Sequence, residues 1–284
     1  MLRQATTCLV GLTLSMGCIG THQTAHASPR PGFTPDQRRT ADEIISIFEN
    51  DTPTLRYDYV ENLRDGRGYT AGRAGFCSGN QDMSDVIDLY SKSRPKNAMT
   101  KFVTLLHAKA KTGDDSVADL DDLGFKNTWQ VAAKDPLFRK AQDQVVDRQV
   151  YEPALKHWRH EGCTTPLALL AIYDAEVQQG DATDTDGTPA LIAQTDRAVG
   201  GNPAGGVPES KWLANFLNNR HKLLQNPHDS STRAEWGKSA SRVTALESLL
   251  QQQNFALKLP LEFKAFDEKW RVTPEGAHRL PDNG

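Results

Sequence analysis

Residues 49–79, ENDTPTLRYDYVENLRDGRGYTAGRAGFCSG, pass from the end of a helix into short strands and tight turns. The helix begins upstream at Thr34-Pro35-Asp36-Gln37, where a capping hydroxyl, a proline at the first position and a glutamine at the third mark an N-terminus. Ala41, Ile44, Ile45 and Phe48 follow at helical spacing, so one face is buried, and Asn50-Asp51-Thr52-Pro53 stops the helix. Tyr57 to Val60 alternates and is rich in aromatic and β-branched residues. Asp65-Gly66-Arg67-Gly68 is a turn, and the next strand region is punctuated by Gly72 and Gly75. This pattern predicts a small antiparallel sheet with tight corners.

Beyond it the sequence reads as helix. Met83, Val86, Ile87 and Tyr90 fall at i, i+3, i+4 and i+7, and further helices are predicted over 97–111, 127–134, 137–160, 166–179, 209–225 and 231–253. Gly/Asp/Pro clusters at 181–189 and 200–208 separate them, and there is no internal repeat. The expected class is mainly α (α+β), with many helices and one small antiparallel sheet near the N-terminus. By analogy with lysozyme-like hydrolases, two lobes would flank a substrate cleft.

The first 27 residues read as a signal peptide. Arg3 gives a positive start, residues 8–19 are mostly apolar, and Ala25-His26-Ala27 is a small-x-small cleavage site. Cys18, after Leu14-Ser15-Met16-Gly17, raises a lipoprotein as the alternative to secretion. Residues 28–284 are expected to form a single domain of two lobes, with no membrane-spanning segment. Cleavage removes one arginine and no acid, so the formal charge moves from −3 to −4. With no Lys/Arg-rich block, nucleic acid is an unsuitable partner, whereas a cationic one is welcome. Cys77 and Cys163 remain after cleavage. In an exported chain they read as a disulfide, with two buried thiols as the alternative. No apolar heptad marks an obligate dimer, so a monomer is expected.

Two carboxylates carry the chemistry. Glu49 sits at the C-terminal end of its helix, where the dipole disfavours a further negative charge, and Phe48 adds an apolar neighbour. Both effects suit a general acid. Asp65 lies in a polar turn beside Arg64 and Arg67, which keep it ionised as a general base needs. Carboxyls pushed in opposite directions from two elements can hydrolyse a sugar polymer. The same residues also make an ordinary helix end and hairpin turn. Two further signals point weakly to metal. His157, His160 and Cys163 have ligand types at helical spacing but suit a cationic helix end equally well. Asp181, Asp184 and Asp186 lack the downstream glutamate of a calcium loop. No cofactor and no metal is expected.

Tyr59-x-Glu61-x-x-x-Asp65-Gly66-Arg67-Gly68-Tyr69-Thr70, followed by Gly75-Phe76-Cys77-Ser78-Gly79 and Asp82-Met83, resembles the signature region of the chitosanases of glycoside hydrolase family 46. Weaker matches follow in the family's order: Trp129 to Asp135, Tyr173-Asp174-Ala175, Phe216-Leu217 with Arg220, and His228-Asp229 with Arg233. The similarity spans roughly residues 40–270. It implies an endo-acting, inverting hydrolase of chitosan, with the carboxyls roughly 6.5–9.5 Å apart or more. On this resemblance Glu49 is the acid, Asp65 the base, and Thr70 a hydroxyl that positions the water. Asp82 binds a substrate amine, Tyr59 and Arg67 line the cleft, and Asp174, Arg220 and Arg233 form a charge network behind the site. Gln225 departs from family members that carry glutamate there, and the segment between Glu49 and Tyr59 looks slightly short. A hydrolase of chitin or peptidoglycan and a non-catalytic chitosan-binding protein are the competing readings. Asp82 disfavours the first, since an anion suits a free amine. Retention of Glu49, Asp65 and Thr70 together disfavours the second.

Overall fold

The computed structural model describes residues 31–281. The predicted signal peptide, with Cys18 and the cleavage site at Ala27, lies outside the described residues. The first helix, α1 (Pro35–Asn50), is capped as the sequence predicts. Gln37 N–H donates to the Thr34 hydroxyl, and the Gln37 side chain accepts from the Thr34 amide. Asp51 ends the helix in the left-handed region at φ 52°. Strands β1 (Val60–Asn62), β2 (Tyr69–Ala71) and β3 (Phe76–Cys77) then form the small antiparallel sheet in the order β1-β2-β3. Thr70 is opposite Glu61 on one side and Cys77 on the other. The β1–β2 connection requires glycine at 68, where φ is +78° and a Cβ would meet the Ser78 hydroxyl at 2.3 Å.

Helices follow at α2 (Gln81–Ser93), α3 (Val103–Thr112), α4 (Ala118–Asp122), α5 (Phe125–Ala132), α6 (Pro136–Val146), α7 (Glu152–His160), α8 (Pro166–Gln179), α9 (Thr188–Val199), α10 (Glu209–Gln225), α11 (Arg233–Lys238) and α12 (Ser241–Gln251). The chain ends in strands β4 (Leu261–Ala265), β5 (Glu268–Thr273) and β6 (Gly276–Arg279), an antiparallel meander. This second sheet corrects the expectation of one sheet. Its signal is a short period-2 alternation, with Leu261, Phe263 and Ala265 inside and Glu262 and Lys264 outside. Helix α9 has no counterpart among the predicted helices, and Pro189 closes the cluster that reads as a separator. It stands in the first turn of the helix, where its missing N–H costs nothing. The span 231–253 divides into α11 and α12.

Two hydrophobic cores result. The smaller packs the first sheet against α2, α3, α5 and α6 around Phe102, Phe125, Trp129 and Phe138. The larger gathers α1, α7, α8, α9, α10, α12 and the second sheet. Helix α8 is its axis: ten consecutive residues, Leu167 to Glu176, are buried, so it is enclosed on all sides. One rod joins the cores. Helix α6 runs through a π-helical turn (Asp147–Tyr151) into α7. Pro153, near the start of α7, has no N–H for the helical ladder, and the wider turn before it absorbs that loss. Val150 on this turn packs against both cores.

Arg73, in the β2–β3 turn, ties the lobes together. Its guanidinium bonds Asp42 of α1 at 3.1 Å and Asp143 of α6 at 2.5 Å, with 6% of the side chain exposed. Cys77 and Cys163 are not joined by a disulfide. Cys163 lies in the larger core, and Cys77 on β3 contacts Thr70 in the smaller lobe, which settles the alternative for buried thiols. Among the described residues, no helix is long and apolar enough to cross a membrane.

Candidate active site

Between α1, the first sheet and the π-helical turn lies a cavity of about 490 Å³, lined in part by Glu49, Tyr59, Thr70, Arg73 and Tyr173. Of the predicted site residues, Glu49, Tyr59 and Thr70 face it. Asp65, Arg67 and Asp82 do not line it and are grouped with one another.

Glu49 is on the last turn of α1, and 40% of its side chain is exposed. Its carboxylate is held by Arg242 of α12, with Nη2 2.7 Å from Oε1. The same Nη2 is 2.7 Å from Asp174 Oδ1, so one guanidinium bridges Glu49 and Asp174. Arg242 also lies over the Phe48 ring at 5.5 Å. Asp174 is fully buried on α8 and takes a second guanidinium, Arg220 Nη1, at 2.5 Å. Arg220 is fully buried too. Its remaining donors reach the Asp174 carbonyl and the side-chain oxygens of Gln178 and Gln179, each at 3.0 Å. Burial pushes the Asp174 carboxyl up, but Arg220 and Arg242 outweigh it and hold it below the ordinary carboxylate range. Burial lowers Arg220. Arg242 is also opposed by burial, yet Asp174 and Glu49 raise it above its usual value.

The network predicted behind the site is therefore present in Asp174 and Arg220, but Arg233 is not part of it. Arg233 is exposed at the start of α11. The second guanidinium is Arg242, which the sequence reading missed. Its signal was available. Arg242, Ala245, Leu246 and Leu249 fall at i, i+3, i+4 and i+7, and all four are buried, so this arginine occupies a core position of an apolar stripe. Arg220 stands likewise among Phe216, Leu217, Leu223 and Leu224.

Asp65 occupies the β1–β2 turn. Arg67 grips it three times: N–H to Oδ1 at 3.2 Å, Nε to Oδ2 at 3.1 Å and Nη2 to Oδ2 at 2.6 Å. These side-chain hydrogen bonds hold the Asp65 carboxyl below its usual range. Asp82 is close enough to Arg67 to add to its field. Asp82, on the first turn of α2, is half-buried. Its Oδ1 accepts from the Cys77 and Met83 amides at 3.1 and 2.7 Å. Burial pushes its carboxyl up despite those amides. Thr70 is buried on β2 with its hydroxyl 3.8 Å from Cys77 Sγ, and the Tyr59 hydroxyl donates to Glu61 at 3.0 Å. Gln225 is exposed at the end of α10, its amide nitrogen 2.9 Å from His221 Nε2.

The arrangement provides two carboxyls with separate cationic partners. Glu49 answers to Arg242 on one lobe and Asp65 to Arg67 on the other. Neither shares an ion pair with the other.

The description Glycosyl hydrolase family 46 matches residues 43–261. A chitosanase of Bacillus subtilis (strain 168) is 41% identical over 234 residues, which covers 82% of this chain and 84% of that protein. A chitosanase of Streptomyces sp. (strain N174) is 31% identical over 242 residues, covering 84% and 82% respectively. Among solved structures, the Gynuella sunshinyii family 46 chitosanase in complex with chitotetraose superposes with a TM-score of 0.73 at 42% identity. That match covers 88% of this chain and 99% of the other. Native chitosanase from Bacillus subtilis MY002 gives a TM-score of 0.74 at 39% identity, covering 88% and 100%.

The two arginines provide a test. Arg242→Met leaves fully buried Asp174 with half its counter-charge and is expected to cost about 3–5 kcal/mol, whereas exposed Arg233→Met should stay within about 0.5 kcal/mol. Urea unfolding of both variants measures this, and equal losses would contradict the network as drawn.

Proposed function

The chain belongs to glycosyl hydrolase family 46 and is a chitosanase, and from that premise we propose that Glu49 is its general acid and Asp65 its general base. The observation that supports this reading is Glu49 on the cavity wall with 40% of its side chain exposed, set against an Asp65 that Arg67 holds ionised. Glu49 gives its proton to the glycosidic oxygen as the bond from the anomeric carbon to that oxygen breaks. Asp65 takes a proton from the water whose oxygen bonds to the anomeric carbon from the opposite face. Its grip by Arg67 favours the ionised form that this step needs. Attack from the opposite face inverts the configuration. Thr70, buried and facing the cavity, is the hydroxyl that orients the water.

Arg242 is a positioning residue in this scheme. It fixes the Glu49 carboxylate after proton transfer, when the negative charge appears, and so favours the step electrostatically. Asp82 binds a substrate ammonium: its two backbone donors both use Oδ1, and Oδ2 is the oxygen offered to the amine. An ammonium beside this half-buried carboxyl restores the charged form that burial disfavours. Tyr59 and the aliphatic stem of Arg67 supply surface for the sugar rings. Cleavage is endo-acting, because the groups lie along the junction of two lobes that a polymer can cross. The site of action is outside the cell, following from the signal-peptide reading of residues 1–27. The working unit is a monomer of one domain with two lobes, in keeping with a sequence that has no apolar heptad.

On highly deacetylated chitosan, Glu49→Gln and Asp65→Asn should each lower kcat by about 10²–10⁴-fold while the circular dichroism spectrum is retained. Proton NMR of the wild-type digest should show the α anomer of the new reducing end first. Activity surviving in either variant would overturn that assignment, and β anomer first would overturn inversion. Arg67→Met removes the hydrogen bonds that keep Asp65 ionised. The Asp65 carboxyl then returns toward its ordinary value, and the acidic limb of the kcat profile should move to higher pH. A profile displaced only in height would remove Arg67 from that role.

A further inference from the structure

We propose that His157, Glu176 and Asp181 form a divalent-cation site for zinc or a similar first-row metal. Each would supply one ligand: His157 Nε2, one Glu176 oxygen and one Asp181 oxygen.

The three come from separate elements, α7, α8 and the loop that follows α8. His157 Nε2 is 2.7 Å from Asp181 Oδ1 and 3.6 Å from Glu176 Oε1, and the three candidate ligand atoms lie within 4.8 Å of one another. Zinc bonds of about 2.0–2.1 Å put tetrahedral ligand atoms about 3.3 Å apart, so closure needs only small rotations. Asp181 can supply them, because 43% of its side chain is exposed.

Glu176 is the observation that turns an acidic cluster into a site. Its side chain is 1% exposed, and neither oxygen has a hydrogen-bond partner. The Thr188 hydroxyl lies close enough to favour the charged carboxylate but is not aligned on either oxygen. A buried carboxyl left without aligned donors is costly. A cation between it and His157 would give the bound Glu176 oxygen the partner it lacks. The opposite side faces Asp181 and solvent, which leaves a position open for water. One imidazole with two carboxylates suits zinc or manganese better than calcium, which takes six or more oxygens.

The sequence hints were near but wrongly grouped. His157 is not joined by His160, whose Nδ1 bonds Glu161 at 2.8 Å, nor by Cys163, which lies in the larger core. Asp184 and Asp186 turn away from Asp181: Asp184 accepts the Asp186 amide, and Asp186 accepts the amides of His228 and Asp229. Bound metal would pin the loop at its start. The loop is closed at its base by Thr188 N–H to the Gly180 carbonyl at 3.0 Å, and Gln179 bonds both the Asp186 carbonyl and Arg220. The cation would therefore brace the loop that rests on the Asp174 network.

Calorimetric titration of zinc chloride into chelator-treated protein should give one zinc per chain, and the melting temperature should rise with zinc concentration. Glu176→Gln should weaken zinc binding at least tenfold. Asp181→Asn, a surface change that leaves folding intact, should do so as well. Absence of a zinc-dependent heat would overturn the site. So would affinity unchanged in Asp181→Asn, or calcium binding there more tightly than zinc.

Discussion

Asp174 brings a negative charge into the centre of the larger core, and the surroundings of Glu49 follow from how that charge is answered. A lone carboxylate at zero exposure would be strongly disfavoured, so the fold supplies guanidiniums from two other helices. One carboxylate against two guanidiniums leaves a positive charge. Arg220 is enclosed by Gln178, Gln179 and backbone, so Arg242 is the partner that faces outward, and Glu49 is the anion it meets. Three helices distant in sequence thereby fix the end of α1. The apolar enclosure of α8 is what keeps water from screening the arrangement.

The smaller lobe solves the same problem at its surface. A tight turn places Asp65 and Arg67 two residues apart, and three hydrogen bonds lock them together. Short range and local geometry replace burial here, so the carboxylate stays accessible. Arg73 then relates the two lobes by bonding α1 and α6, and Val150 on the π-helical turn packs against both cores. Each half brings one carboxyl with an arginine partner from within that half.

The sequence made local features legible and left assembled ones obscure. The Thr34 cap, the stop at Asp51 and the hairpin around Asp65 are set by residues within a few positions, and they appear as read. Helix α10 was legible from its apolar period alone. The second sheet was missed because its strands are short and its alternation brief, and α9 because a proline at a helix start resembles one at a helix end. In the site, Asp65 and Arg67 could be paired on sight. Arg242 could not be matched to Glu49, since 193 positions separate them and only the folded core brings them together. Arg233 rested on the family resemblance alone. Physical reading would have preferred the arginine on the apolar stripe.

The central claim is that Arg242 acts on catalysis through Glu49. Steady-state kinetics on chitosan for Arg242→Lys, Glu49→Gln and the double variant would test it most directly. Lysine keeps the charge that Asp174 needs while losing the fork that bridges two carboxylates. The account predicts that Arg242→Lys lowers kcat in the wild-type background and adds nothing further to Glu49→Gln. Losses that multiply in the double variant would contradict it.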